Sequence, residues 1–145
     1  NAQVEFQFAK PNIPDLDYSF SGLKTSFLYF LKKEMLKNEN FIIENRDNLC
    51  ASIQNSIVKH LMKKLLLASK QTGIKNIALA GGVSANSSLR NEIEMEGKKL
   101  GWNTFIPAFE YCTDNAAMIA MAGKFLFESG IRADQSISAQ ARLAW

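Results

Sequence analysis

The sequence predicts an α/β chain, rich in helix and short of strands. Residues Asn76 to Ala80 run N-I-A-L-A, a short buried strand, and Thr104 to Ile106 forms a second, halted at Pro107. A helical stretch from about Ala85 to Leu100 separates them, and another from about Asp114 to Glu128 follows. Strand–helix–strand–helix of this kind is a crossover unit, right-handed by default. In such sheets the ligand crevice lies beyond the carboxyl ends of the strands.

Each element has a local reason. Val4 to Phe8 alternates V-E-F-Q-F, the period-two pattern of a half-buried strand, and Pro11 and Pro14 punctuate the loop after it. Ser19 or Ser21 is placed to cap a helix through Leu23, Phe27, Phe30 and Leu31 to about Leu36, with Gly22 in its first turn. Phe41 to Arg46 is ambiguous. Asp47 or Asn48 opens a long helix to about Gln71, with Cys50, Ile53, Ile57, Leu61, Leu65 and Ala68 at helical spacing, and Gly73 ends it as a left-handed cap. Gly101 and Gly130 stop the two later helices. The last of these carries Ala116, Ala117, Ala120, Ala122 and Gly123, small residues suited to close packing. Residues 131–145 have little pattern and are predicted to be extended. So few strands for a free-standing sheet point to a missing partner half.

A length of 145 residues predicts one domain, and 47% hydrophobic with 21% charged residues is a soluble globular balance. No apolar run approaches the roughly 20 residues that span a bilayer. The N-terminal residues lack the basic-then-apolar pattern of a signal peptide, and the absence of an initiator Met predicts a fragment or processed product. Cys50 and Cys112, far apart in sequence, are expected as reduced, buried thiols in a cytoplasmic protein. A net charge of +3 permits RNA or nucleotide partners without demanding them. The single histidine, His60, excludes an HExxH zinc-protease site and any His-rich metal cage built from this chain alone.

Two segments carry the candidate chemistry. In Ala80-Gly81-Gly82-Val83-Ser84-Ala85-Asn86, paired glycines let the backbone turn sharply at a strand end and approach a ligand with no Cβ between. A helix starts close behind, and its unpaired N–H groups suit phosphate. Gly81, Gly82 and Asn86 are therefore candidate nucleotide-binding residues; the alternative is an ordinary turn capped by Asn86 or Ser84. In Tyr111-Cys112-Thr113-Asp114-Asn115-Ala116-Ala117-Met118, Asp114 stands at a helix start, either as N-cap or as a carboxylate aimed into the crevice. One carboxylate makes a poor metal site, so any metal would need ligands from elsewhere. His60, among Lys59, Lys63 and Lys64, is read as part of a solvated or snorkelling helix face; these lysines with Lys70 complement the helix dipole, with RNA-phosphate contact as an additional role. Tyr18, Phe20, Phe27, Tyr29 and Phe30 are read as core rather than as a base-stacking platform.

Three blocks in order resemble one family. Asp17-Tyr18-Ser19-Phe20-Ser21-Gly22-Leu23-Lys24-Thr25 is similar to the D-F/Y-S-F-S-G-L-K-T block of the TsaD-type tRNA threonylcarbamoyladenosine transferases, once labelled O-sialoglycoprotein endopeptidases. Ala80 to Asn86 resembles that family's A-G-G-V-A/S-A-N loop, Tyr111 to Met118 its C-T-D-N-A-A-M block, and Ser136 to Trp145 its C-terminal tail. The resemblance spans essentially the whole chain. It implies a helix-rich part of the second lobe of the actin-like, sugar-kinase-like ATPase fold, with residues 1–145 forming a C-terminal lobe fragment. It also implies cytoplasmic transfer of a threonylcarbamoyl group from threonylcarbamoyl-AMP to the adenosine beside the anticodon of ANN-reading tRNAs.

Carried over by residue, the resemblance gives Asn86 to the adenylate, Gly81 and Gly82 to the nucleotide loop, and Asp114 to an iron or zinc ion. The roles of Ser19, Ser21 and Lys24 stay open. Expected partners are tRNA, the missing N-terminal lobe, a paralogous subunit and a P-loop ATPase subunit. The family's H-x-x-x-H pair and its S-G-G-H-T loop are not in this sequence. The fragment alone is therefore expected to bind metal and adenylate poorly, to be inactive, and to expose an apolar face through which it could dimerise. A sugar or acetate kinase fragment and a non-enzymatic scaffold are the competing readings. The old endopeptidase label has no set of residues here to support it.

Overall fold

A computed structural model describes residues 2–9 and 13–138. The fold is α/β, with two strands and four α-helices: α1 (Ser21–Met35), α2 (Phe41–Thr72), β1 (Asn76–Ala78), α3 (Ser87–Leu100), β2 (Asn103–Phe105) and α4 (Ala116–Glu128). The strands pair in parallel, Ile77 opposite Thr104, with α3 as the connection between them. Asn103 N–H donates to the Lys75 carbonyl at 2.8 Å and Leu79 N–H to the Phe105 carbonyl at 3.0 Å, extending the ladder past both ends. The predicted buried strand is only partly so: Ile77 is buried while Asn76 and Ala78 are exposed.

Val58 and Met62 of α2, Ile77, Leu89 and Ile93 of α3, and Trp102 form the main core, with Leu61, Leu65, Leu66, Leu79 and Ile106 packed against it. Both glycine caps hold as expected. Gly73 at φ 70° ends α2 and Gly101 at φ 66° ends α3. The N–H of Trp102 then closes back on the Gly97 carbonyl at 2.9 Å, fixing the turn from α3 into β2.

That return makes Gly97 a contact residue. A Cβ there would stand 2.8 Å from Thr104 Cγ2. Alanine would gain about 1 kcal/mol of helix propensity, but overpacking costs about 1–3 kcal/mol, and Thr104 is β-branched and held in the ladder. Gly97→Ala is expected to lower stability by about 1–2 kcal/mol in urea denaturation, with recovery when Thr104→Ser is added.

Several expectations are corrected. Residues 4–8 are not a strand. Their period-two pattern survives as packing only in part, with Phe6 half-buried and Phe8 buried but Val4 exposed, and their backbone bonds to side chains instead of a ladder. Ser52 Oγ accepts from Glu5 N and Phe6 N, both at 3.0 Å, and Asn48 Oδ1 accepts from Gln3 N at 2.9 Å. α1 starts on Phe20 without a hydroxyl cap, Ser21 being already helical. Phe20 packs edge-on to His60, ring centroids 5.2 Å apart, so packing fixes the helix entry. α2 begins at Phe41, earlier than Asp47, because Phe41 joins an aromatic cluster with Phe6 and Phe30 at 5.8 and 6.0 Å. Tyr18, Phe20 and Tyr29, expected in the core, are exposed, as is Cys50; Cys112 is buried and both thiols are free.

His60 and Lys64 are the clearest reversal: neither lies on a solvated face. His60 is 8% exposed, between Tyr18 and Phe20, and its Nε2 has no hydrogen-bond partner. Lys64 is 6% exposed, and its Nζ donates to the carbonyls of Ile13, Pro14 and Asp15. The loop before α1 folds back over α2 and is capped by that ammonium. Lys64→Met preserves the apolar stem but leaves those carbonyls without their donor. A loss of about 2–3 kcal/mol is expected in thermal or urea melting.

α4 has no buried residue, so its small residues are not covered by any other described element. Residues 131–138 carry no helix or strand and turn where Ser136 N–H donates to the Asp134 carboxylate at 2.8 Å. The rest of the predicted extended tail, 139–145, lies outside the described residues.

Candidate functional site

Both candidate segments leave the carboxyl ends of the adjacent parallel strands. After β1 the chain passes through Gly81 at φ 79° and ψ 176°, a conformation essentially restricted to glycine. A short 3-10 turn, Gly82–Ala85, follows, closed by Ser84 N–H on the Gly81 carbonyl at 2.9 Å. At neither Gly81 nor Gly82 would a Cβ meet anything within 4 Å. The loop is thus open on its outer side, and the glycine requirement at Gly81 comes from the backbone.

Asn86 is the N-cap of α3. Its Oδ1 accepts from Leu89 N–H at 3.0 Å, and its Nδ2 lies 3.3 Å from Gln54 Oε1 on α2. The capping alternative therefore holds for Asn86, which also ties the loop to the long helix; Ser84 is not the cap. The Ser84 side chain is fully buried and its Oγ has no partner, a cost that a serine here carries without an evident return.

Beyond β2, a second short turn, Phe109–Tyr111, leads into Cys112, Thr113 and Asp114. Asp114 is exposed and is not the cap of α4. That position belongs to Asn115, whose Oδ1 accepts from Met118 N–H at 3.0 Å while its Nδ2 donates to the Thr113 carbonyl at 2.8 Å. The N-cap alternative for Asp114 is thereby removed. Its carboxylate is exposed and lacks the structural task that the residue type first suggests.

Among the described residues there is no group of three or more His, Cys, Asp or Glu side chains that could hold a metal ion. The donors of this chain do not by themselves fit a metal; Asp114 fits only as one ligand of a set completed elsewhere.

Arg90 is the residue that the sequence reading misses. From the second turn of α3 its guanidinium reaches both site segments. Nε donates to the Ser84 carbonyl, Nη2 donates to the Pro107 carbonyl at 2.7 Å, and Nη2 lies 3.0 Å from Cys112 Sγ. Its Cζ sits 4.0 Å from the centre of the Phe109 ring. The available signal is an arginine one turn after the helix cap that follows the glycine loop. A recess of about 340 Å³ lies elsewhere, between residues 4–9 and α2, lined by Phe8, Leu23, Lys59 and His60.

No helix among the described residues is long and apolar enough to cross a membrane. The family model described as tRNA N6-adenosine threonylcarbamoyltransferase (TsaD) matches residues 1–121. Curated proteins bearing that same name are similar to this chain. One from Riemerella anatipestifer is 56% identical over 137 residues, covering 94% of this chain and 40% of the relative. One from Porphyromonas gingivalis is 50% identical, covering 86% and 37%, and one from Cytophaga hutchinsonii is 47% identical, covering 97% and 41%. The chain spans about 40% of the length of the curated relatives it matches.

Proposed function

The chain belongs to the tRNA N6-adenosine threonylcarbamoyltransferase family, and from that premise we propose that the whole protein transfers a threonylcarbamoyl group to N6 of an adenosine in tRNA. Threonylcarbamoyl-AMP is the donor, and the acceptor is the adenosine beside the anticodon of ANN-reading tRNAs. The observation that carries this reading is the convergence of the Gly81–Gly82 loop and the Asp114 segment at neighbouring strand ends, in a chain whose relatives bear that name.

The reaction is acyl transfer. Adenine N6 forms a bond to the carbamoyl carbon, the bond from that carbon to the phosphate oxygen breaks, AMP leaves with the electron pair, and N6 gives up one proton. The residues of this chain bind and orient. The glycine loop offers backbone to the adenylate, and the start of α3, capped by Asn86, favours negative charge at the phosphate. Asn86 also holds that start against Gln54, so the adenylate meets a fixed surface. Asp114 supplies one carboxylate to an iron or zinc ion whose other ligands come from outside this chain.

The wholly exposed, apolar α4 supports assembly with a further part of the protein: the other lobe of an actin-like fold would cover it. This chain is then the helix-rich part of the second lobe, inactive alone. A paralogous subunit and a P-loop ATPase subunit complete the proposed cytoplasmic machinery; without the other lobe, α4 offers a face for homodimers. The test is incubation of the whole gene product and its partner subunits with threonylcarbamoyl-AMP and unmodified tRNA, followed by mass spectrometry of the nucleosides. Threonylcarbamoyladenosine is expected. Unmodified adenosine throughout, or phosphorylation of a small hydroxyl or carboxyl substrate instead, would overturn the proposal.

A further inference from the structure

Few hydrogen bonds tie the Asp114 segment to the rest of the molecule. Within residues 107–115 the described hydrogen bonds are otherwise local. Tyr111 N–H donates to the Ala108 carbonyl at 3.0 Å, Cys112 N–H to the Phe109 carbonyl at 3.2 Å, and Asn115 Nδ2 to the Thr113 carbonyl. The ladder beneath cannot fix the segment either, because β2 ends at Phe105 after pairing with a strand as short as itself. Among the described residues the non-local hydrogen bonds to this stretch come from Arg90. The same side chain donates to Ser84 in the turn after the glycine loop.

We propose that Arg90 is a positioning residue that clamps the Asp114 segment to the glycine loop and so sets the separation between Asp114 and the adenylate surface. The inference rests on the reading of those two segments as one site. A guanidinium suits the task, since its donors form a rigid planar fork and can serve two directions at once. Lysine, a point charge on a flexible stem, can grip one loop but not hold both in register. Arg90 itself is anchored, because α3 is seated in the core by Leu89 and Ile93, at 4% and 3% exposure. Phe109, against the guanidinium face, limits its swing.

Cys112 makes the clamp measurable. It is 2% exposed, with its Sγ against Arg90, whereas Cys50 is exposed and serves as an internal standard. The experiment uses the whole protein as wild type, Arg90→Gln and Arg90→Lys. Alkylation by N-ethylmaleimide is followed at each cysteine by peptide mass spectrometry, alongside kcat and the adenylate KM of transfer.

In both variants Cys112 is expected to alkylate at least about tenfold faster relative to Cys50, and kcat to fall at least about tenfold, as misplacement of a reacting group implies. The adenylate KM stays within about twofold, because Gly81 keeps its own backbone turn and Asn86 remains the cap of α3. Unchanged Cys112 alkylation in folded protein overturns the clamp. Faster alkylation with unchanged kcat, or with kcat and KM shifting together as general loosening would cause, overturns the positioning role. If Arg90→Gln does not fold, Arg90→Lys makes the same comparison. Asp114→Ala is run in parallel: if it leaves transfer intact, the shared-site reading fails, while the alkylation arm still judges the clamp.

Discussion

Asp114→Ala in the whole protein is expected to cut tRNA threonylcarbamoylation at least about 100-fold, the effect of losing one charge-assisted contact of about 3 kcal/mol at the reacting centre. Folding is expected to be unaffected, with a melting temperature unchanged within error. The two expectations belong together. Asp114 is exposed, and the cap that a residue at this position would ordinarily provide is made by Asn115. Removing Asp114 therefore costs α4 nothing, and a loss of activity has to be chemical. Asn115→Ala is the complementary control. It removes the bond to Met118 N–H and should weaken the start of α4 by about 1 kcal/mol. A variant at Asp114 that melts early, or one that keeps full activity, would contradict the assignment.

Gly81→Ala is expected to have the second large effect, by a different route. No neighbour obstructs a Cβ there, so the cost is in the backbone alone. At φ 79° and ψ 176° an L residue is strained by about 1–3 kcal/mol. The chain can relieve that strain only by rotating out of the turn, which moves the Gly82–Ala85 segment and the start of α3. The adenylate KM should rise by at least about tenfold with a smaller change in kcat, because in the proposed site the glycine loop binds and does not react. Gly82→Ala separates backbone from space: Gly82 lies outside the positive-φ set, so alanine there should fold normally and report only on the approach of the ligand.

Local signals carried the fold where the physics is local. Gly73 and Gly101 need left-handed backbone wherever the rest of the chain lies, and both were legible as helix ends. So was the order strand, helix, strand, helix, since each element announces itself within a short window. Legibility failed where a distant segment decides. Residues 4–8 carry a strand pattern, but a ladder needs a partner strand, and the hydroxyl of Ser52 took that place. His60 and Lys64 read as surface because their neighbours on α2 are charged; the loop over residues 13–20 that buries them is invisible to helical periodicity. At the site, the glycine loop and Asp114 were legible as types at strand ends. Arg90 was not, since its significance lies in reaching Ser84, Pro107 and Cys112 at once.

α4 finally supplies a gauge of assembly. All 13 of its residues are exposed in this chain, and helices shorter than about 12–15 residues are marginal in water without a surface to pack on. Its amides should therefore exchange with deuterium at close to the rates of an open chain in the isolated piece, while those of α3, seated in the core, are protected. In the complete protein the two helices should slow together. The exchange rate of Ala120, Met121 and Ala122 then reads out how tightly the rest of the polypeptide holds this segment.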